Sequence, residues 1–109
     1  MEDNNSVGTK EYRYSVQTIL NAINDLVELQ KGEVTFDDIS RKRIFFRVEM
    51  YGFSWEYHFT VEDIGENSSR VLLEIKGEVT NRSRRIVHQL ALLDSVLISN
   101  GGEAKIAST

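Results

Sequence analysis

Residues 43–77 read RIFFRVEMYGFSWEYHFTVEDIGENSSRVLLEIKG, and apolar and polar residues alternate along almost all of it. One parity carries Ile44, Phe46, Val48 and Met50, then Phe53, Trp55, Tyr57, Phe59 and Val61, then Val71, Leu73 and Ile75. The other carries Arg43, Arg47, Glu49, Ser54, Glu56, His58, Thr60, Glu62, Arg70, Glu74 and Lys76. A period of two belongs to β-strands, whose successive side chains point to opposite faces. Three such runs joined by short polar or glycine-containing links predict antiparallel strands with one buried and one wet face.

The register follows from the same residues. With Tyr51-Gly52 as the loop, Met50 faces Phe53, Val48 faces Trp55, Phe46 faces Tyr57 and Ile44 faces Phe59. A slip of one residue would turn every apolar side chain to the wrong face. The next turn lies in Gly65-Glu66-Asn67-Ser68. Placing Val61 opposite Val71 sets Glu62 against Arg70, His58 against Glu74 and Glu56 against Lys76, while the first hairpin sets Arg47 against Glu56. The same register brings Gly77 beside Trp55.

Outward from this stretch the period changes. Val16, Ile19, Leu20, Ile23, Leu26 and Val27 follow the three-four spacing of one helical face, with Ser15 placed as N-cap. Lys31-Gly32 predicts the stop, with Gly32 taking the left-handed conformation. Val34-Thr35-Phe36 predicts a short strand. Tyr12 and Tyr14 share a parity, which permits a first strand but equally the start of a helix. Beyond the hairpins, Thr80 or Asn81 can cap a last helix with apolar positions Ile86, Val87, Leu90, Ala91, Leu93, Val96 and Leu97. Leu92 and Ile98 widen that stripe, and Asn100-Gly101-Gly102 predicts its end. The expected architecture is a two-layer α+β domain over residues 10–100. It has an antiparallel sheet of three or four strands and two helices on one face, in the order β-α-β-β-β-β-α with the first strand optional. Residues 1–9 read as a flexible lead-in and 101–109 as a flexible tail.

The chain has 109 residues, enough for one core, with 40% hydrophobic and 28% charged residues and a net charge of −4. An acidic balance argues against nonspecific nucleic-acid binding, so no nucleic-acid partner is expected. There is no cysteine and no proline, which removes disulfides and thiolate metal sites. No apolar run approaches the roughly 20 residues of a membrane-spanning helix, and no secretory signal stands at the start. The expected location is the cytoplasm.

Chemistry-bearing residues are few. The two histidines are His58 and His88. His58 beside Glu74 could form half of an acid–base pair, although a charge pair on an open strand face accounts for it more simply. His88 reads as a helix-flank residue. Asp37-Asp38 with Glu62 or Asp63 matches no calcium loop and reads as a turn. No phosphate loop, nucleophile elbow or dinucleotide fingerprint is present. No catalytic residue, metal or cofactor is therefore expected. Two basic clusters remain, Arg41-Lys42-Arg43 and Arg82, Arg84 and Arg85. The latter open the last helix, where cations oppose the helix dipole. They are a candidate anion site if they converge with free backbone amides, and a solubilising patch if they do not.

Phe46, Trp55, Tyr57 and Phe59 either line an apolar pocket between sheet and helices or fill that space as core. Phe45 breaks the pattern by sitting on the wet parity. With Tyr51 and Leu72 it forms a candidate interface for self-association or a protein partner.

In outline the first helix, the hairpins ending in Val71-Leu72-Leu73-Glu74-Ile75 and the long last helix resemble a reduced Bet v1/START-like helix-grip domain. There a carboxy-terminal helix lies across a curved antiparallel sheet. The likeness covers roughly Tyr12 to Ser99, and the chain is short for the full grip and its large cavity. The resemblance implies binding of apolar ligands and transfers no individual residue. The expected function is a noncatalytic binding or assembly module acting through a sheet face or strand edge. The alternative is a carrier of a small apolar, lipid-like molecule with its pocket over Trp55. Enzymatic activity is the third and least supported reading.

Overall fold

A computed structural model describes residues 7–77 and 79–108, with 101–108 as helical backbone. In chain order its elements are β1 (Val7–Tyr12), α1 (Val16–Leu29), β2 (Glu33–Asp38), a 3₁₀ turn (Ile39–Arg41), β3 (Arg43–Met50), β4 (Phe53–Gly65), β5 (Ser68–Lys76) and α2 (Arg82–Ser108). The sheet is antiparallel throughout, ordered β1-β5-β4-β3-β2. It has five strands where three or four were expected. The α+β class and the element order stand.

The alternating stretch folds in the register its side chains demand. Met50 pairs with Phe53, Val48 with Trp55 and Arg47 with Glu56 across the first hairpin. Val61 pairs with Val71, Glu62 with Arg70, His58 with Glu74 and Glu56 with Lys76 across the second. Tyr51 and Gly52 both take positive φ, +55° and +83°, as a two-residue turn between right-twisted strands requires. Gly77 packs against Trp55, and a Cβ there would stand 3.1 Å from the Trp55 Cα.

Both helices cover the apolar parity. Ile19, Ile23 and Leu26 of α1 and Ile86, Leu93 and Leu97 of α2 are buried with Ile44, Phe46, Phe59, Val71, Leu73 and Ile75. The α2 stripe is narrower than the sequence predicts, because Val87, Ala91 and Ile98 face solvent. The helix lies in the outer of two layers, so the 86-90-93-97 seam is buried and Leu92 and Val96 beside it pack only partly against the core. Two polar clamps fix it there. The side-chain amides of Gln30 and the buried Gln89 bond reciprocally, at 2.5 and 3.1 Å. Asp94 accepts from the Tyr12 hydroxyl at 2.7 Å and pairs with Lys10 at 2.5 Å.

The helix and strand ends depart from expectation in informative ways. Ser15 does cap α1, its hydroxyl accepting from the Thr18 amide at 3.2 Å. At the other end Lys31, not Gly32, is left-handed, with φ +55°. The Gly32 amide donates to Val27 O and the Lys31 amide to Glu28 O, the bond pair of a Schellman cap. Gly32 is needed one residue later, where an added Cβ would stand 2.8 Å from the Phe46 ring. Asn81, at φ +56°, precedes α2, and its carbonyl accepts from the Arg85 amide. The helix passes through Asn100-Gly101-Gly102 to Ser108. Glycine permits a stop without compelling one, and Glu103-Ala104-Lys105 are good helix formers. Val7, Gly8 and Thr9, read as lead-in, belong to β1, which ends at Tyr12 and leaves Tyr14 outside it. The rest of the lead-in, residues 1–6, lies outside the described residues.

Candidate functional site

The four aromatic residues proposed as pocket lining divide. Phe46, Tyr57 and Phe59 are core. The Phe46 ring lies 5.5 Å from Tyr57 and 6.0 Å from Phe59, and all three are buried. Such spacing leaves no room for a ligand between them. Trp55, at the end of the row, borders a pocket of about 280 Å³ lined by Met50, Tyr51, Phe53, Trp55, Val79, Thr80 and Arg85.

Three local features build this pocket. Alternation along β3 and β4 directs Met50, Phe53 and Trp55 to the helix-side face. At this end the helices no longer cover the sheet, so Met50 and Phe53 are more than half exposed. The tight turn then holds Tyr51 at the tip, 91% exposed. Finally, the chain returning from β5 passes Val79 and Thr80 and starts α2, which places Arg85 over the indole. Its guanidinium carbon stands 4.5 Å from the Trp55 ring centroid, within cation–π range. The Arg85 Nε donates to Thr80 O at 3.0 Å, which fixes the side chain's direction.

Trp55 carries a second feature. The residue is 5% exposed, and its indole Nε1–H is buried with no hydrogen-bond partner among the described residues. A buried donor left unpaired costs about 1–3 kcal/mol, and such groups are rare in folded proteins.

The three arginines offered as a candidate anion site are directed apart. Arg82 donates to Ile75 O at 3.2 Å and to Gly77 O, tying the start of α2 to the end of β5. Arg85 turns to the indole, and Arg84 is exposed. The candidate interface residues also separate. Tyr51 is at the turn, remote from the sheet face. Phe45 is half-buried, its ring stacked on His58 with centroids 3.7 Å apart and tilted toward Phe36 at 4.9 Å. Leu72 sits between Thr9 and Thr60 in the neighbouring cross-strand row.

His58 does not use Glu74, its cross-strand neighbour. Its Nε2 bonds Glu56, two residues back on β4, at 2.8 Å, and Glu74 pairs with Lys76 at 3.4 Å. His88 is exposed on α2. Asp38 caps the 3₁₀ turn, accepting from the Arg41 amide at 3.2 Å and the Ser40 hydroxyl at 2.7 Å. Those bonds, the Ser40 bond foremost, hold its carboxyl below the usual range. No cluster of metal-ligating side chains occurs among the described residues, and no helix there is long and apolar enough to cross a membrane.

Sequence reasoning marked Trp55 and Arg85 separately, one as part of an aromatic row and the other as part of a basic run. Their meeting depends on the path of residues 77–85, which carries no periodic signal. Of the rim residues, Phe53 was legible as part of the aromatic face and Met50 only as a core position.

No protein-family model and no curated protein sequence matches this chain. Solved structures do. The fold is similar to that of CalU16 from Micromonospora echinospora, at 12% identity and a TM-score of 0.63, over 84% of this chain and 74% of that one. It is also similar to the di-domain ARO/CYC StfQ from the steffimycin biosynthetic pathway, at 10% identity and a TM-score of 0.61, over 84% of this chain and 43% of that one. This chain thus spans less than half of StfQ. At such identities the likeness establishes the backbone fold, a helix-grip arrangement of antiparallel sheet and long carboxy-terminal helix, and that fold is what this chain shares with them.

Proposed function

We propose that the protein binds a small apolar molecule in the pocket beside Trp55, between the β3–β4 turn and the start of α2. The observation that carries this reading is the rim. Met50, Tyr51 and Phe53 stand 54, 91 and 64% exposed around one concavity, whereas a turn of this kind is ordinarily polar. Tyr51 also occupies a left-handed conformation that disfavours bulky side chains. The volume of about 280 Å³ is near the lower end of ligand pockets, roughly 300–1,000 Å³. It suits a compact molecule, or one end of a longer one. StfQ comes from a biosynthetic pathway, a small-molecule setting for this backbone that agrees with the reading. The assembly alternative rests on Phe45, and the stacking of that ring between His58 and Phe36 is a sufficient account of it.

Trp55 is the single tryptophan, so its emission reports on this pocket alone. Native mass spectrometry of the purified protein is expected to show a retained small molecule, or titration with fatty acids or sterols to shift Trp55 emission. Phe53→Asp should weaken the response, since it puts a charge on the rim and leaves the core untouched. An unliganded mass together with unchanged emission across both classes would overturn the proposal.

A further inference from the structure

The pocket's polar corner identifies the ligand's chemistry, an inference that rests on the binding reading above. The geometry points to an apolar molecule ending in a carboxylate, held by the Trp55 indole N–H and the Arg85 guanidinium. Two observations bear on this corner, since Trp55 and Arg85 both line the pocket. The indole N–H is an orphaned donor on a residue that is 95% buried, by its exposure of 5%. Arg85 lines the same pocket, and no ion pair to it occurs among the described residues. Both groups donate, and Arg85 is the one charged side chain among the described lining residues. The rest of the described lining is apolar apart from the Tyr51 and Thr80 hydroxyls.

With the guanidinium carbon 4.5 Å from the ring that carries the N–H, the two oxygens of one carboxylate can accept from both groups. Charge-assisted bonds of this kind are about twice as strong as neutral ones, and satisfying the indole N–H relieves the cost of its burial. An alcohol could accept from the indole but would leave the cation unmatched. An ammonium would meet two donors and a like charge. The N–H is buried in this structure, so its contact with a carboxylate requires the side chains around Trp55 to shift.

Three probes share one chain and differ in the head group: decanoate, decanol and decylamine, titrated calorimetrically at pH 7.5 below their aggregation limits. Decanoate should bind at least about ten-fold more tightly than decanol, with decylamine weakest. Arg85→Gln should bring decanoate and decanol to parity, and Arg85→Lys should restore part of the preference. A thermal melt of each variant establishes that it is folded. On the unaltered protein, decanoate should move the Trp55 indole proton resonance downfield and decanol should move it less. Equal or reversed affinities, or decanoate binding without an indole shift, would overturn the carboxylate assignment and leave the pocket's role in apolar binding standing. Failure of all three probes to bind would overturn the carboxylate assignment, and the binding reading falls with it when longer fatty acids and sterols also leave Trp55 emission unchanged and the purified protein carries no ligand.

Discussion

Tyr12 shows how one side chain couples strand, helix and pH. Its hydroxyl is half-buried and donates to Asp94, and burial first, then the bond to and charge of Asp94, raise its pKa far above the usual 10. A raised phenol stabilises the fold fully at pH below the unfolded value of about 10 and loses that contribution as pH climbs toward the folded value. Unfolding free energy should therefore fall above pH 10, and it should fall less steeply in Tyr12→Phe. Ultraviolet titration of the two proteins provides the check: the tyrosinate absorbance missing from Tyr12→Phe should appear in wild type only as it unfolds. Equal alkaline slopes would mean that the phenol is not held by Asp94. The Tyr12–Asp94 link was not legible from sequence, since parity alone did not decide between strand and helix for the segment around Tyr12.

At the level of the element, the end of α1 inverts the rule by which it was read. A glycine after a helix ordinarily takes the left-handed position, yet Lys31 takes it and Gly32 is kept for its lack of a Cβ against Phe46. The two positions should respond oppositely. Lys31→Gly should stabilise by about 1 kcal/mol, because glycine enters this conformation without strain. Gly32→Ala should destabilise by about 1–3 kcal/mol, because its methyl must displace a fully buried ring. Chemical denaturation of both variants tests this, and a neutral Gly32→Ala would show that Phe46 can move. The registers of β3, β4 and β5 were legible to the residue because a slip exposes a whole face. Helix ends were not, since caps are made of single bonds and single contacts.

Across the whole molecule, the outer sheet face is a set of rows running from strand to strand. Lys76, Glu56, Arg47 and Glu33 alternate in charge along one row. Arg47 takes Glu33 of β2 as its ion-pair partner, while Glu56 bonds His58. Arg70 bridges Glu62 and Glu11 in another row. Glu56→Lys should put three cations in sequence and remove the His58 bond, lowering stability by about 0.5–1 kcal/mol. Added salt should shrink the penalty. Melting curves at low and high ionic strength measure this, and a stabilising result would mean the row carries no net interaction. The sequence identified the cross-strand neighbours correctly and the Glu62–Arg70 ion pair with them, but not the partners of Arg47, His58 and Lys76, because long side chains reach along a strand and across a third one as readily as to the residue opposite.

The amino-acid sequence by itself determined the α+β class, the element order, both hairpin registers and the buried face. Each rests on a repeated pattern, in which many residues agree and any alternative exposes all of them at once. Tertiary structure alone decided which aromatics became core and which became rim. It also turned Phe45 onto His58, divided the three arginines, and brought Arg85 of α2 to Trp55 of β4. Those outcomes depend on where the helix layer stops covering the sheet and on the course of residues 77–85. There, single contacts between residues distant in sequence set the geometry, and no periodicity records them.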